Sequence, residues 1–320
     1  VSGTSSLDVV VVTRNTRDLT LRCATAVLAP GRAPRANLIV VDNGSSDGTA
    51  EALLEHWPET TVLRNEANVG YASACNQGAR AGESAYILFL NSDAFPRGDA
   101  VARLLSFLDA HPEHSAAAGL LVDDGTDRPQ VGFAIRGFPT LATQVALLLG
   151  LERFWPGNPV SRRQTLPDFD YGTTQDVDAQ PAGACLACRR APFEALGGFD
   201  EAFYYWFEDV DLVLRLQQLG PVAFVHDAVF DHVGGGTFSH WGRPEVVRAR
   251  YASLLYFFAK HHSLRAQMGL RLVVGALAAA RLLPLAVVKP ARARAYRDVL
   301  RMALTGWRTR PSEGQVGPIA

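Results

Sequence analysis

Three clusters of residues in this 320-residue chain have types and spacing suited to chemistry. The first is Asn91-Ser92-Asp93, which closes the apolar run Tyr86–Leu90. A run so short and so rich in β-formers reads as a strand buried on both faces, ending in a carboxylate at the edge of a core sheet. An uncompensated carboxylate there suits a hard divalent cation bridging to phosphate. Capping of a turn before the helix expected near Gly98 is the other use for Asn91 and Asp93. The second cluster is Glu208-Asp209-Val210-Asp211, directly after the aromatics Tyr204 to Phe207. Helical spacing from Val210, with Leu212, Leu216 and Leu219 inward, sets Glu208 and Asp209 at a helix N-terminus, where the dipole favours charge. Capping explains one carboxylate; a pair beneath an aromatic wall suits a sugar-stacking platform with a general base. The third is Asp231-His232, followed by glycines that let backbone approach a phosphate.

The elements that must position these groups alternate in type. Strands are expected at Val9–Val12, Leu38–Val41, Val62-Leu63 and Tyr86–Leu90, with helices at Thr20–Ala29, Thr49–His56 and Ala72–Ala81. Asp47 or Ser46 is placed to cap the second of these helices, and Pro30-Gly31 to stop the first. Such alternation predicts a right-handed, mostly parallel sheet. Its strand ends, Thr13-Arg14-Asn15, Asp42-Asn43 and Asn91-Ser92-Asp93, form a nucleotide pocket if they share one edge. There Asp42 is placed to accept from a pyrimidine N–H or a ribose hydroxyl, and Asp93 to hold a metal on a diphosphate. Neither a Gly-x-Gly-x-x-Gly nor a Gly-Lys-Ser/Thr motif is present, so neither dinucleotide nor P-loop binding is indicated. From Val122 to Gln180 the chain is irregular apart from an apolar helix at Leu141–Leu151, which fits a lid over the site or a surface insertion. A buried strand at Gly183–Arg190 and short strands at Val222–Val225 and Ala228–Phe230 complete the reading.

Hydrophobic residues make up 48% and charged residues 20% of the chain, ordinary for a protein with a large core. A net charge of −1 argues against a general nucleic-acid binder. The sum hides an asymmetry: between Lys260 and Arg310 ten arginines and lysines follow Lys260, and Asp298 alone opposes them. Such a basic tail suits an anionic surface. Cys23, Cys75, Cys185 and Cys188 read as buried free thiols of a reducing cytosol, since Cys185-Leu-Ala-Cys188 has no second pair for zinc. No internal repeat is visible, and no signal peptide is expected ahead of the first strand.

Taken in order, Val-Val-Thr-Arg-Asn, Val-Asp-Asn-Gly-Ser-Ser-Asp-Gly-Thr, Asn-Val-Gly-Tyr-Ala, Leu-Asn-Ser-Asp, Gly-Gly-Phe-Asp-Glu, Phe-Glu-Asp-Val-Asp-Leu and His-x-Gly-Gly resemble a family-two glycosyltransferase. More narrowly, Leu7 to Lys260 is similar to the bacterial rhamnosyltransferases that build cell-wall or O-antigen glycans. The resemblance implies a GT-A fold, α/β with a mostly parallel central sheet, a nucleotide-diphosphate-sugar donor, a divalent cation (Mg²⁺ or Mn²⁺) and inversion at the anomeric carbon. Thr13, Arg14, Asn15, Asp42, Asn43, Asn68, Gly70, Asn91 and Ser92 would line the nucleotide sugar. Asp93 and His232 would hold the metal, Asp209 would be the base with Glu208 beside it, and Tyr205, Trp206 and Phe207 would hold the acceptor sugar. Two departures stand out. Asn91-Ser92-Asp93 replaces the usual Asp-x-Asp, and Asp178-Ala179-Gln180-Pro181 lacks the aromatic that relatives often place there.

The expected reaction moves a sugar, L-rhamnose from dTDP-rhamnose as the first choice, to a hydroxyl of a glycan or polyprenyl-linked glycan. A sugar-1-phosphate nucleotidyltransferase would need a Gly-rich loop after the first strand, which Thr13-Arg14-Asn15-Thr16 lacks. An inactive sugar-binding scaffold would not need Glu208, Asp209 and His232 together. The organisation expected is a transferase domain at 1–262, with a nucleotide-sugar half at 1–120 and an acceptor half at 121–262, then a basic helical tail at 263–320. Arg250 to His262 reads as an aromatic-rich helix packing on the domain, and in the tail Leu272–Val288 reads as an apolar run broken at Pro284. The run with its basic surround (265–310) suits a helix lying in an anionic membrane interface at the cytoplasmic face, or else a core helix.

Overall fold

The computed structural model describes residues 7–29, 36–234 and 243–305. Its first half follows the expected alternation: β1 (Leu7–Thr13), α1 (Arg17–Leu28), β2 (Ala36–Asp42), α2 (Thr49–His56), β3 (Thr61–Arg64), α3 (Tyr71–Arg80) and β4 (Tyr86–Asn91). Next come β5 (Ala94–Pro96), α4 (Ala100–Ala110) and β6 (Ala116–Asp123), then β7 (Ile135–Arg136), α5 (Leu141–Leu149), α6 (Leu151–Phe154) and α7 (Pro159–Thr165). The chain continues through β8 (Gln175–Asp176), β9 (Gln180–Pro181), β10 (Cys185–Arg189), α8 (Arg190–Ala195), α9 (Glu208–Leu216) and β11 (Val222–His232). Three helices end it: α10 (Pro244–His261), α11 (Leu264–Val288) and α12 (Pro290–Thr305).

One nine-stranded sheet runs β3-β2-β1-β4-β10-β6-β11-β5, with β8 added on β11. The four strands from the first half are parallel, as their alternation with helices requires. β10 is antiparallel to both β4 and β6, and β5 to β11, so the sheet is mixed beyond β4. After β3 the chain crosses back to the other side of β1, which makes the β1/β4 boundary a topological switch point. Register brings Thr13 opposite Asp42 and Val12 opposite Asn91, so the polar strand ends do share one edge. The apolar faces of β1, β2 and β4 are buried on both sides. Small residues let α3 seat closely: a Cβ on Gly78 would come within 2.4 Å of Val10 Cγ1.

Four local expectations need correction. The helix expected near Gly98 is α4, from Ala100, but a short strand not foreseen, β5, comes first and pairs with β11, so Ser92-Asp93 turn between β4 and β5. The two strands expected at 222–225 and 228–230 are one strand, kinked by a register shift between Val225 and Val229. α9 starts at Glu208 and ends at Leu216, leaving Leu219 exposed rather than inward. α11 runs through Pro284 without breaking. Pro284 and Ala280, whose carbonyl loses its partner, both lie on the exposed side, where water can take that bond.

The four cysteines are buried and free, as their spacing suggests. Burial pushes the Cys185 and Cys188 thiols up to about 12, so neither is a ready nucleophile. In the tail, Leu270, Val274 and Ala278 of α11 share a core with Tyr251, Leu254, Leu255 and Phe258 of α10 and with Tyr296 and Val299 of α12. Two tail arginines serve this packing. Arg271 Nε donates to the Ala303 carbonyl at the end of α12 (2.7 Å), and the Arg281 guanidinium lies 5.4 Å over the Tyr296 ring. No helix among the described residues is long and apolar enough to cross a membrane.

Candidate active site

At the carboxyl edge of β1 and β2, short polar side chains build a fixed rim. Asn15 holds a left-handed conformation (φ 50°) and its Oδ1 accepts from Ser46 N at 2.8 Å. Asp42 Oδ1 accepts from Ser45 N at 2.8 Å. Thr13 Oγ1 is spent inside the fold, 2.7 Å from Thr20 Oγ1. Asn43 is likewise internal: it donates to Asn68 Oδ1 (2.9 Å) and accepts from Val69 N (3.0 Å). Asn68 Oδ1 also accepts from Gly70 N at 2.9 Å. Gly70 needs its type, because φ is 92° and a Cβ would sit 2.8 Å from the Tyr204 carbonyl. Thr13 and Asn43 thus shape the rim from behind, with Asn15, Asp42 and Asn68 along it. Ser92 Oγ lies 3.2 Å from Thr16 Oγ1, and Tyr71 Oη donates to Asn91 Oδ1 at 3.2 Å. Burial lowers the Arg14 guanidinium from its ordinary value at this edge.

Asp93 and His232 meet where β5 pairs with β11. Asp93 Oδ1 lies 3.3 Å from His232 Nε2. Gln130 decides the ring's tautomer. Its Nε2 donates to the His232 carbonyl (2.9 Å) and to Asp123 Oδ1 (3.2 Å), so its Oε1 faces His232 Nδ1 at 2.8 Å and takes that proton. Nε2 then turns a bare lone pair toward a carboxylate oxygen. Two acceptors at that spacing need a cation or a proton between them, and adjacent ligands of an octahedral divalent ion sit about 3 Å apart. The donor set therefore fits a divalent cation. Asp231, next to His232, is otherwise engaged: both its oxygens bind Arg97 (3.0 and 2.6 Å).

The acidic run divides into three roles. Asp211 is fully buried and anchors α9 to α10 through Lys260 (2.7 Å) and His261 (2.6 Å), with Arg215 of its own helix also 2.7 Å away. Burial alone would raise its carboxyl, but the His261 hydrogen bond and the Arg215 and Lys260 charges hold it low. Asp209 faces the sheet edge among donors. Its Oδ2 accepts from Gln180 Nε2 (2.9 Å) and Gly183 N (3.0 Å), with the Arg136 guanidinium 4.0 Å away. Glu208 turns the other way, buried with Oε2 making no hydrogen bond. Burial first and the neighbouring Asp209 second push its carboxyl up to about 8, so it keeps its proton at neutral pH. Tyr71 and Cys75, also raised by burial, leave that side of the pair uncharged.

The aromatic run feeding Glu208 is bent. Trp206 and Phe207 have φ of 66° and 68°, two consecutive non-glycine residues in the left-handed region. Strain of this kind persists only where the surroundings impose it, and it clusters at functional sites. Here α10 imposes it: Phe207 packs on Phe257 (centroids 5.3 Å apart) and Ser253 Oγ donates to the Tyr205 carbonyl (2.8 Å). Tyr205 and Trp206, edge to face at 4.4 Å, stay half-buried beside Asp209's helix.

The family model for glycosyl transferase family 2 matches residues 8–158. N-acetylglucosaminyl-diphospho-decaprenol L-rhamnosyltransferase of Mycobacterium tuberculosis is 30% identical over 246 residues, 71% of this chain and 76% of that protein. The chain belongs to glycosyltransferase family 2. Its GT-A-like fold is shared with a Pyrobaculum calidifontis mannosyltransferase solved with GDP-Man and Mn²⁺, at TM-score 0.54 and 18% identity, covering 96% of this chain and 89% of that one. GalNAc-T7, solved with UDP, GalNAc and Mn²⁺, gives TM-score 0.58 at 17% identity, covering 96% of this chain and 57% of that one.

In this glycosyltransferase the irregular middle supplies what sequence reasoning missed. β7 pairs with β9, setting Arg136 opposite Gln180. Arg136 Nε donates to Gln180 Oε1 (3.0 Å), and Gln180 in turn donates to Asp209. Phe133 stacks on His232 (5.0 Å, 13° between planes) with the Arg136 guanidinium 5.6 Å from its other neighbour, the Phe133 centroid. One segment therefore braces both the His232 and the Asp209 ends of the candidate site. The one sequence signal near Gln180 was that the stretch Asp178-Ala179-Gln180-Pro181 carries no aromatic.

Proposed function

We propose that this glycosyltransferase moves a hexose, L-rhamnose from dTDP-rhamnose as the first choice, onto a hydroxyl of a polyprenyl-linked glycan in cell-surface polysaccharide synthesis. The observation that carries the reading is Asp209, held by Gln180 and Gly183 N on the same edge as Asp93–His232. The donor's nucleotide lies along Asn15, Asp42, Asn68 and Gly70, with Arg14, Asn91 and Ser92 beside the diphosphate and Thr13 and Asn43 behind. Asp209 takes the acceptor proton as the acceptor oxygen bonds to the anomeric carbon and the bond to the diphosphate oxygen breaks. Attack from the far side inverts that carbon. Glu208, carrying its own proton, adds no second charge to repel the developing pair. Asp93 and His232 would hold Mg²⁺ or Mn²⁺, which when bound offsets charge on the departing diphosphate. Tyr205 and Trp206 stack the acceptor sugar, and Phe207 anchors them. Support for the rhamnosyl group and the polyprenyl-linked acceptor comes from the mycobacterial relative's name, and for the cation from the Mn²⁺ in both solved neighbours.

The test is nucleotide release from a panel of NDP-sugars with and without chelator. Asp209→Asn is expected to lose about 10²–10⁴-fold in kcat with donor affinity nearly unchanged. Wild-type turnover in that variant, or full activity in excess chelator, would refute the base or the metal assignment respectively.

The same proposal places residues 1–262 as the transferase domain and 265–310 as its peripheral contact with the inner face of the cell membrane. Supporting it are solvent-facing Leu147, Leu149, Phe154 and Trp155 of the α5–α6 region, and Leu264, Met268 and Leu272 on α11, with Arg265, Arg294, Arg297 and Arg301 exposed on the tail. α5 packs beside α11: a Cβ on Gly269 would meet Leu141 Cδ2 at 3.0 Å. Because α11 shares a core with α10, substitution is the sounder test than truncation. Phe154→Ser with Trp155→Ser and Leu272→Ser is expected to abolish salt-sensitive co-sedimentation with anionic vesicles, and unchanged binding would refute the contact.

A further inference from the structure

We propose that the turn His111-Pro112-Glu113-His114, between α4 and β6, is a zinc site formed by His111, Glu113 and His114 and oriented by Asp176 of β8. His111 Nδ1 and His114 Nδ1 each lie 3.2 Å from Glu113 Oε1, and the three ligand atoms fall within 4.8 Å of one another. His114 is only 6% exposed. Its Nε2 sits 2.7 Å from Asp176 Oδ1, and an ionised carboxylate only accepts, so Nε2 carries the proton. In the neutral ring that leaves Nδ1 as the lone pair. It is buried and makes no hydrogen bond, although Glu113 Oε1 is near. A lone pair facing a carboxylate inside the protein is unfavourable until a cation lies between them.

The surroundings hold the donors ready. Arg189 Nε donates to the His114 carbonyl (2.8 Å), its Nη2 to the His111 carbonyl (3.0 Å), and His114 N to the His111 carbonyl (3.1 Å). Phe107 packs against both rings, with centroids 4.4 and 5.0 Å away. Two imidazoles and one carboxylate select a borderline transition metal over Mg²⁺ or Ca²⁺, with water as fourth ligand. The Asp176–His114 pair is the outer-shell contact that fixes a metal-binding tautomer. The site is separate from Asp93–His232. It adjoins the N-terminal end of β6, and that strand's 8 residues put roughly 25 Å between the two ends. Zinc here would clasp the α4–β6 turn to β8, whose continuation leads to Gln180.

The experiment uses the untagged full chain carrying Asp93→Asn and His232→Asn, so that the other candidate cation site is silent. Zn²⁺ is titrated calorimetrically, Co²⁺ is followed by its tetrahedral absorption bands, and the thermal midpoint is read with and without Zn²⁺. One saturable Zn²⁺, tetrahedral Co²⁺ bands and a raised midpoint are expected. Adding His111→Asn and Glu113→Gln, side chains 46% and 56% exposed, should remove all three signals without unfolding the protein. Asp176→Asn, which keeps every ligand but frees the tautomer, should weaken Zn²⁺ about 10–100-fold. Equal Zn²⁺ affinity with and without the His111 and Glu113 substitutions would overturn the proposal. So would the absence of saturable binding in the parent, which would leave His114 as a doubly protonated ring between Asp176 and Glu113. No transfer assay enters, so the outcome is independent of the glycosyltransferase mechanism.

Discussion

Glu208→Gln tests whether the buried carboxyl beside Asp209 is neutral. In the folded protein burial and Asp209 push that group from 4.5 up to about 8. The unfolded chain releases the proton near its ordinary value, so between the two values the folded state binds a proton that the unfolded state has lost. Stability is then complete below about pH 4.5, falls as pH rises, and levels off above about pH 8. At 1.36 kcal/mol per pH unit the whole interval amounts to roughly 5 kcal/mol. Glutamine has no proton to lose, and its profile lacks this fall. Urea unfolding of both proteins from about pH 5 to about pH 9 measures the difference, which should grow in the variant's favour by several kcal/mol. Parallel profiles would refute the assignment and mean that Glu208 ionises in the fold or is solvated. Near neutral pH the variant should also keep transfer within about tenfold of wild type, because the amide matches the protonated acid.

Other perturbations report on the bracing of the site. Gly183→Ala would set a Cβ 2.7 Å from Asp209 Cβ, and displacing that carboxylate by a fraction of an ångström is expected to lower kcat about 10²-fold at unchanged donor KM; an unchanged kcat would show that Asp209 need not sit there. Asp8→Ala deletes a fully buried carboxylate that binds Arg190 (2.7 Å), Ser84 N (2.9 Å), Ser84 Oγ (2.7 Å) and Asn37 (3.0 Å), and should cost about 3–5 kcal/mol in denaturant unfolding. A loss under about 1 kcal/mol would mean water replaces the carboxylate.

What the sequence determined by itself is local. Runs such as Val9–Val12 and Tyr86–Leu90 have one stable use, a strand covered on both faces, and alternation with helices then requires them to be parallel. From that follows the shared edge where Thr13, Asp42 and Asn91 end, and the ordered motifs sufficed for the family. Tertiary structure decided everything that depends on pairs distant in the chain. The adjacent letters of Glu208-Asp209-x-Asp211 gave no sign that one acid would be buried alone, one ringed by N–H donors and one neutralised by α10. Those fates follow from a helix start at Glu208 whose successive side chains point in different directions. Arg136 and Gln180 looked like loop residues because their value lies in a two-residue strand pairing, too short to leave a periodic signal. The left-handed turn at Trp206-Phe207 contradicts local preference and exists because α10 packs beneath it. Propensity and period are properties of neighbours along the chain, whereas charge state and orientation are set by neighbours in space.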